Sequence, residues 1–487
     1  MGYQDLTNLQ PPRRRPAAAL RTVWRNAVNG VRAAMRWLGR QAAGVVRAAV
    51  KGDARTRLTF LVMGAGSALR GQWVRGLLYF ASQVGFHAYM WLFGWQYLKK
   101  LGTLGTVTQT QVFDEAQGIY IYTQGDNSMQ ILLFGVLSVI LSLLITALYF
   151  HSLRAAWRAQ RLTEAGKRLP TFREDLRSLL DSRYHVTLLT PPVLLVLLFT
   201  LLPLIFMVLI AFTNFDKTHQ PPGNLFTWVG FDNFANILGG NAQLGYTFLN
   251  LLLWTLIWAV FATFTNYLFG MILALMINKK GIRFKKLWRT VFIITIAVPQ
   301  FVSLMLMSQI LADEGALNVA LQELGWITER IPFLTNGTWA KFTVILVNMW
   351  VGIPYTMLIT SGILMNIPAD MYESARIDGA GPVRMFFRIT LPYMLFVTTP
   401  YLITQFVNNI NNFNVIYLLT RGGPLTLEYY KAGKTDLLVT WLYKQTVDEQ
   451  NYNLAAVIGV IVFVITALAS LLVYNSSASS KKEEEFQ

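Results

Sequence analysis

The stretch Glu373–Pro392, ESARIDGAGPVRMFFRITLP, is a polar insert between two long apolar runs. Each flanking run is long enough to cross a bilayer as a helix, so a charged segment between them must lie in water beside the membrane. The expected fold class is therefore all-α integral membrane.

Composition agrees. The 487 residues are 54% hydrophobic and only 14% charged, a balance that suits a multi-span helical protein better than a soluble one. The formal charge of +17 is concentrated in the first quarter and in a few short loops. Such a distribution suits anionic lipid and topology control, and no basic soluble domain is left over to bind nucleic acid. Cysteine is absent, which excludes disulfide and thiolate chemistry, and the four histidines show no metal-ligand spacing.

Outward from the insert, eight candidate spans reach the ~20 residues needed to cross the hydrocarbon core. They are Leu77–Leu98, Gln130–Phe150, Leu189–Phe212, Phe248–Ile277, Val291–Leu311, Thr343–Met365, Tyr393–Leu419 and Leu454–Tyr474. The fourth and seventh are long enough to tilt or break. Before them, Met1–Pro16 is rich in Pro and Arg and reads as disordered. Residues 17–50 read either as a basic amphipathic helix on an anionic surface or as a solvated arm. Leu58–Leu69, punctuated by Gly64, Gly66 and Gly71, is too short to span and reads as an interfacial or re-entrant turn. Those glycines make no phosphate loop, because no Gly-Lys-Ser/Thr follows.

Loop charge sets an expected orientation. The segment before the first span, the loop Arg154–Arg183 and the turn containing Lys279, Lys280, Arg283, Lys285, Lys286 and Arg289 are strongly basic. Leu101–Met129 carries no basic residue, and Ala312–Trp339 carries Arg330 alone against four acids. The positive-inside rule then puts both termini, and Glu373–Pro392, on the cytoplasmic side, where ATP is. The apolar centres of the spans hold no Asp, Glu, Lys or Arg, and His87 reads as an ordinary hydrogen-bonded helix residue. Proton coupling through a membrane carboxylate is thereby disfavoured. A pump built this way draws its energy from another polypeptide; a self-sufficient carrier of a neutral solute stays open as the alternative. A lipid-directed membrane enzyme lacks the paired carboxylates or Ser/His arrangement it would need.

Within the insert, Pro368, Ala369 and Asp370 suit a helix start, and Met371–Asp378 would make about two turns. Gly379 and Gly381 are expected to end that helix in left-handed conformations, and Pro382 to open a second. The spacing Glu373-Ser374-Ala375, Gly379, then Ile389-x-Leu391-Pro392 resembles the coupling-loop motif of membrane subunits of binding-protein-dependent ABC importers. Ser374 stands where that motif usually has Ala. The resemblance implies that this loop docks into the ATPase subunit, with Glu373 and Gly379 most important. Trp228–Phe234 and Arg421–Pro424 are similar to segments of carbohydrate-uptake members. Spans three to eight resemble the larger membrane subunit of maltose/maltodextrin importers, which implies a type I importer core. One departure is plain: Thr213–Gly245 is short where the best-known form carries a large external domain.

The seventh span contains Gln405, Asn408, Asn409, Asn411, Asn412 and Asn414 in an otherwise apolar run. Amides in hydrocarbon must face protein, water or ligand, so these are either interhelical bonds or sugar ligands. The sixth span offers Asn348, Trp350, Gly352, Pro354 and Tyr355. Resemblance to the maltose-type subunit implies a sugar site at Asn348, Gly352, Tyr355, Asn409 and Asn412, with Asn408 a departure from a more usual aromatic. It also implies a second permease subunit, an ATP-binding subunit dimer, an external sugar-binding protein and an oligosaccharide substrate, with membrane lipid around the chain and no chemistry of its own. The expected organisation is a basic segment 1–57, an accessory region 58–188, a permease core 189–475 with its coupling loop at 366–392, and a tail 476–487.

Overall fold

Three of the long helices begin at an asparagine. Asn127 accepts from the Met129 and Gln130 N–H groups, Asn241 from Leu244, and Asn336 from Thr338 and Trp339, so orphan donors of the first turn are satisfied before the apolar run starts. The helices that follow are Ser128–Glu164, Ala242–Asn278 and Gly337–Leu364. A computed structural model of the chain describes residues 28–30, 32, 35–36, 39, 44–115, 118–279 and 281–476. The basic helix expected over 17–50 lies largely outside them, although 44–51 are helical.

Six helices among the described residues are long and apolar enough to cross a membrane: Ser128–Glu164, Tyr184–Ile210, Ala242–Asn278, Gly337–Leu364, Pro382–Thr420 and Tyr452–Leu471. The pair Lys285–Ala297 and Gln300–Ile310 makes a seventh when counted as one. The first expected span is helical from Trp73 to Lys100 through a π-helical turn at Met90–Gly94, but it is less apolar than the others. The continuous span expected over Val291–Leu311 is instead bent by 88°. Pro299 is the cause: it has no N–H to give and drives Val298 to extended angles, φ −75° and ψ 126°.

The chain divides into two compact units, 25–233 and one running from Phe234 onward. In the first, the short segment read as a re-entrant turn folds into Ala54–Leu58 and Ala65–Ala68. The polar side of Ser128–Glu164 holds it there. Gln160 Oε1 accepts from Asp53 N at 3.1 Å and Thr56 Oγ1 at 2.7 Å, while Ser152 Oγ accepts from Gly64 N at 2.9 Å. Gly64 takes φ +82°, and a Cβ there would lie 2.3 Å from the Gly76 carbonyl oxygen. His87 bonds the Gln83 carbonyl oxygen one turn back at 2.8 Å. In the short loop after Tyr184–Ile210, Trp228 Nε1 donates to the Leu101 carbonyl and Asn233 Nδ2 to those of Ala211 and Thr213.

One element runs against the all-helical expectation. Gln111–Asp114 and Ile119–Tyr122 pair antiparallel, with Gln111 opposite Tyr122 and Asp114 opposite Ile119. The signal was present in the β-branched and aromatic run Ile-Tyr-Ile-Tyr and in Gly118, which turns at φ +68°. Asp126 pins the base of this loop, accepting from Lys100 Nζ at 2.5 Å and from the Thr106 and Val107 N–H groups.

In the second unit, Ala242–Asn278 packs along Gly337–Leu364. A Cβ on Gly270 would stand 2.7 Å from Thr356 Cβ, so the backbones approach closely, as membrane helices do through small residues. Trp254, Trp258, Ala262, Val344, Val347, Val415, Ile416 and Leu437 form a core nearer the N-terminal ends of the same two helices. The Arg421-Gly-Gly-Pro424 turn closes on Asp436, whose carboxylate is fully buried. It accepts from Gly433 N at 2.7 Å, Thr440 Oγ1 at 2.8 Å and Lys444 Nζ at 2.6 Å. Gly422, at φ +78°, is required because a Cβ would fall 1.9 Å from Asp436 Oδ1.

Two outcomes follow from these polar anchors. Burial pushes the Asp126 carboxyl up, but Lys100 and the two N–H groups pull it further the other way and hold it below the ordinary range. A depressed folded value means that the stabilisation is complete above the unfolded value, about 3.9, and is lost as pH falls through the folded one. Proteolysis within 101–127 should therefore accelerate on acidification below about pH 4, and at neutral pH in Asp126→Asn; equal cleavage at pH 3 and 7 contradicts this. Asp436→Asn leaves the mostly buried Lys444 without its counter-charge and is expected to cost about 3–5 kcal/mol, read as a lower Tm of the purified protein.

Candidate functional site

Five residues expected at the sugar site, Asn348, Gly352, Tyr355, Asn409 and Asn412, come together around one cavity of about 380 Å³ in the second unit. Three walls are the helices Ala242–Asn278, Gly337–Leu364 and Leu391–Ile410; the fourth is the break at Val298–Pro299. Irregular backbone at membrane depth is tolerated where it lines a cavity, and both helix breaks do so here. The second break follows Ile410: Asn412 leaves the helix and caps the next one, Phe413–Thr420, by accepting from Val415 N at 3.3 Å.

The amides divide by what they already bond. Asn409 is buried and engaged at both ends: Nδ2 donates to Thr263 Oγ1 at 3.0 Å, and Oδ1 accepts from Asn412 Nδ2 at 3.3 Å. Its carbonyl oxygen also accepts from Trp258 Nε1 at 3.0 Å. Asn409 thus joins two helices as well as facing the cavity. Asn348 is different. Its side chain is buried, lines the cavity, and Nδ2 has no partner among the described residues. Leaving such a donor dry and unpaired costs about 1–3 kcal/mol, so a ligand or water is its natural acceptor. Asn408, Asn411 and Asn414 are exposed; Asn411 bonds back to the Val407 carbonyl, and Asn414 reaches Gln300 at 3.4 Å.

Several lining residues were not singled out from sequence. Asn266, on Ala242–Asn278, presents an unpartnered Oδ1. Gly352 makes room for it, since a Cβ there would lie 2.1 Å from Asn266 Nδ2. Gln300 and Ser303 enter because the bend aims their helix at the cavity. The lone Asn in an apolar run was a readable signal for Asn266; the bend was readable only from Pro299. Tyr267, Tyr355, Tyr401 and Trp350 add flat apolar faces, and every lining side chain is neutral. Together the amides, hydroxyls and rings can bond and stack on a polyhydroxylated, uncharged ligand.

The residues expected to form the coupling loop sit apart. Ala369–Ile377 is a helix that starts after Pro368, and Gly379 ends it at φ +75°. Gly379 N donates to the Arg376 carbonyl at 3.0 Å and Ala380 N to that of Ala375 at 2.8 Å, a Schellman closure. Gly381 departs from the left-handed expectation: it caps Pro382–Met385 in extended conformation, φ −70°, which suits the residue before proline. Pro382–Met385 runs through a π-helical turn, Phe386–Thr390, into Leu391–Ile410. Tyr372 and Thr390 hydroxyls bond at 2.9 Å, tying the first short helix to that turn. Glu373 is exposed and Ser374 and Ala375 partly so. Ile377, Val383 and Phe387 are exposed apolar side chains beside them. Ile389 is partly buried, Pro392 is exposed, and Leu391 packs on Tyr267, Met271 and Met394.

Comparison with known proteins places this arrangement. Residues 266–481 match the family described as binding-protein-dependent transport system inner membrane component. A galactooligosaccharides transport system permease protein of Bacillus subtilis is 33% identical over 428 residues, 88% of this chain and 98% of that protein. A maltodextrin transport system permease protein of the same organism is 32% identical over 88% of this chain and 96% of that one. The maltose/maltodextrin transport system permease protein of Escherichia coli is 33% identical over 274 residues, 55% of this chain and 52% of that protein. A bacterial alginate ABC transporter, solved with an alginate pentasaccharide-bound periplasmic protein, shares the fold at a TM-score of 0.52 and 23% identity, covering 62% of this chain and 96% of that one. The chain belongs to the family of inner membrane components of binding-protein-dependent transport systems.

Proposed function

We propose that this chain passes a neutral oligosaccharide of the maltodextrin or galactooligosaccharide kind across the cell membrane, by alternating access driven by a partner ATPase. The observation that carries the reading is the uncharged cavity with two unpaired amides, Asn348 Nδ2 and Asn266 Oδ1. A sugar hydroxyl both donates and accepts, so one hydroxyl group can serve either amide, while the aromatic faces take the apolar side of a ring. With no cation among the described lining residues, a uronate would enter without a counter-charge at a large desolvation cost. The names of the two long relatives support the substrate class.

Energy enters through Glu373–Pro392. Its rigid two-helix form, its exposed Glu373 and its apolar Ile377, Val383 and Phe387 suit a docking surface for an ATP-binding subunit. The basic loops support placing this surface and both termini in the cytoplasm. A second permease subunit completes the pathway, and an external binding protein delivers the sugar. ATP hydrolysis belongs to the partner; this chain supplies the site and the moving helices.

Three substitutions separate sugar contact from helix joining. Asn348→Ala and Asn266→Ala are each expected to cut uptake about tenfold at limiting sugar, the loss of one hydrogen bond of ~1.4 kcal/mol, with assembly and Tm retained. Asn409→Ala should lower uptake and Tm together, because it also unties Thr263 from the seventh span. Unchanged sugar uptake in both cavity variants contradicts the assignment.

For the coupling surface, Gly379→Ala forces a side chain into left-handed geometry costing about 1–3 kcal/mol locally, and Glu373→Ala removes an exposed acid. Both are expected to reduce co-purification of the ATPase and sugar-stimulated ATP hydrolysis at least fivefold while leaving membrane insertion intact. Full assembly and transport in both variants rules the docking role out.

A further inference from the structure

In the first unit, the helices Trp73–Tyr89 and Ser128–Glu164 meet where their apolar runs give way to arginine. Tyr79 and His151 clamp them there, hydroxyl to Nδ1 at 2.6 Å. Around His151 stand four guanidinium groups, those of Arg154, Arg158, Arg75 and Arg183, all near enough to act on its charge. His151, Arg154 and Arg158 follow helical spacing on one face, and Arg75 reaches across from the neighbouring helix. Of the four, Arg75 alone has a carboxylate partner among the described residues, Asp175. Arg154 Nε is buried with no acceptor among the described residues. Four like charges with one counter-charge repel one another, and a buried guanidinium N–H left unpaired adds its own cost.

We propose that this cluster binds the phosphate of an anionic phospholipid at the membrane–water boundary. Arginine forks match the tetrahedral oxygens of a phosphodiester and can bond it bidentately, which supplies the acceptor that Arg154 lacks. The surroundings point to a lipid as the source of that phosphate. On the apolar side of the cluster, Leu144 lies seven residues before His151 on the same face and Leu78 one turn after Arg75; both are exposed. Acyl chains would lie on that strip while the headgroup fills the cationic corner. Basic pockets between membrane helices hold headgroups in this way. The bound lipid would tie the two helices and the segment carrying Asp175 and Arg183 together.

Native mass spectrometry of the full chain, delipidated and then offered phosphatidylglycerol, phosphatidylcholine or inorganic phosphate, tests the site. Wild type is expected to retain one phosphatidylglycerol at least fivefold more than phosphatidylcholine, and not to release it to an excess of inorganic phosphate. Arg154→Gln combined with Arg158→Gln should abolish the preference, and Arg183→Gln, at an exposed helix end, should weaken it should the double variant fold poorly. Equal retention of both lipids overturns the proposal, as does a preference that survives these substitutions. Binding of inorganic phosphate with no lipid preference assigns the cluster to a soluble anion and overturns the lipid reading.

Discussion

Hydrocarbon offers no water to a polar group, and the second unit is built around that fact. Asn409 shows how. Its side chain is spent on Thr263 and Asn412 and its carbonyl on Trp258, so the long helix Ala242–Asn278 and the seventh span are joined by bonds that cannot be exchanged for solvent. Close backbone approach at Gly270 completes the contact with Gly337–Leu364. Asn348 and Asn266 are left unsatisfied, and both of these amides line the cavity.

Breaks in the helices matter as much as the helices. A straight span over 291–311 would carry Gln300 and Ser303 past the cavity; the 88° bend at Pro299 turns them into it. The seventh span stops at Asn411, which frees Asn412 to cap Phe413–Thr420 and bond Asn409. In a bilayer such interruptions are admissible only because the freed backbone borders protein or a polar cavity.

The surface loop and the cavity are mechanically close. The helix Gly337–Leu364 forms one wall, the loop follows, and the same helical run from Pro382 continues into the wall carrying Tyr401, Gln405 and Asn409. The Tyr372–Thr390 bond and the Schellman turn at Gly379 make the loop stiff, and Leu391 seats its exit on Tyr267 and Met271. The loop runs through unbroken helix into the wall Leu391–Ile410 and is joined to the wall Gly337–Leu364 by the short turn at 365–368.

By itself the sequence determined what local physics controls. Apolar length marked most of the spans, Pro382 specified a helix start, Gly379 specified a left-handed stop, and amides in apolar runs marked two of the three helices that wall the cavity. It did not determine which amides are spent. Asn409 and Asn348 look alike in the chain, and only the positions of Thr263, Trp258 and Asn412 in space make one a tie and leave the other open. Asn266 and Gly352 are 86 residues apart, and their fit exists only once two helices pack. The hairpin at 111–122 and the arginine cluster around His151 were settled the same way, because cross-strand and cross-helix neighbours are decided by tertiary packing and not by spacing along the chain.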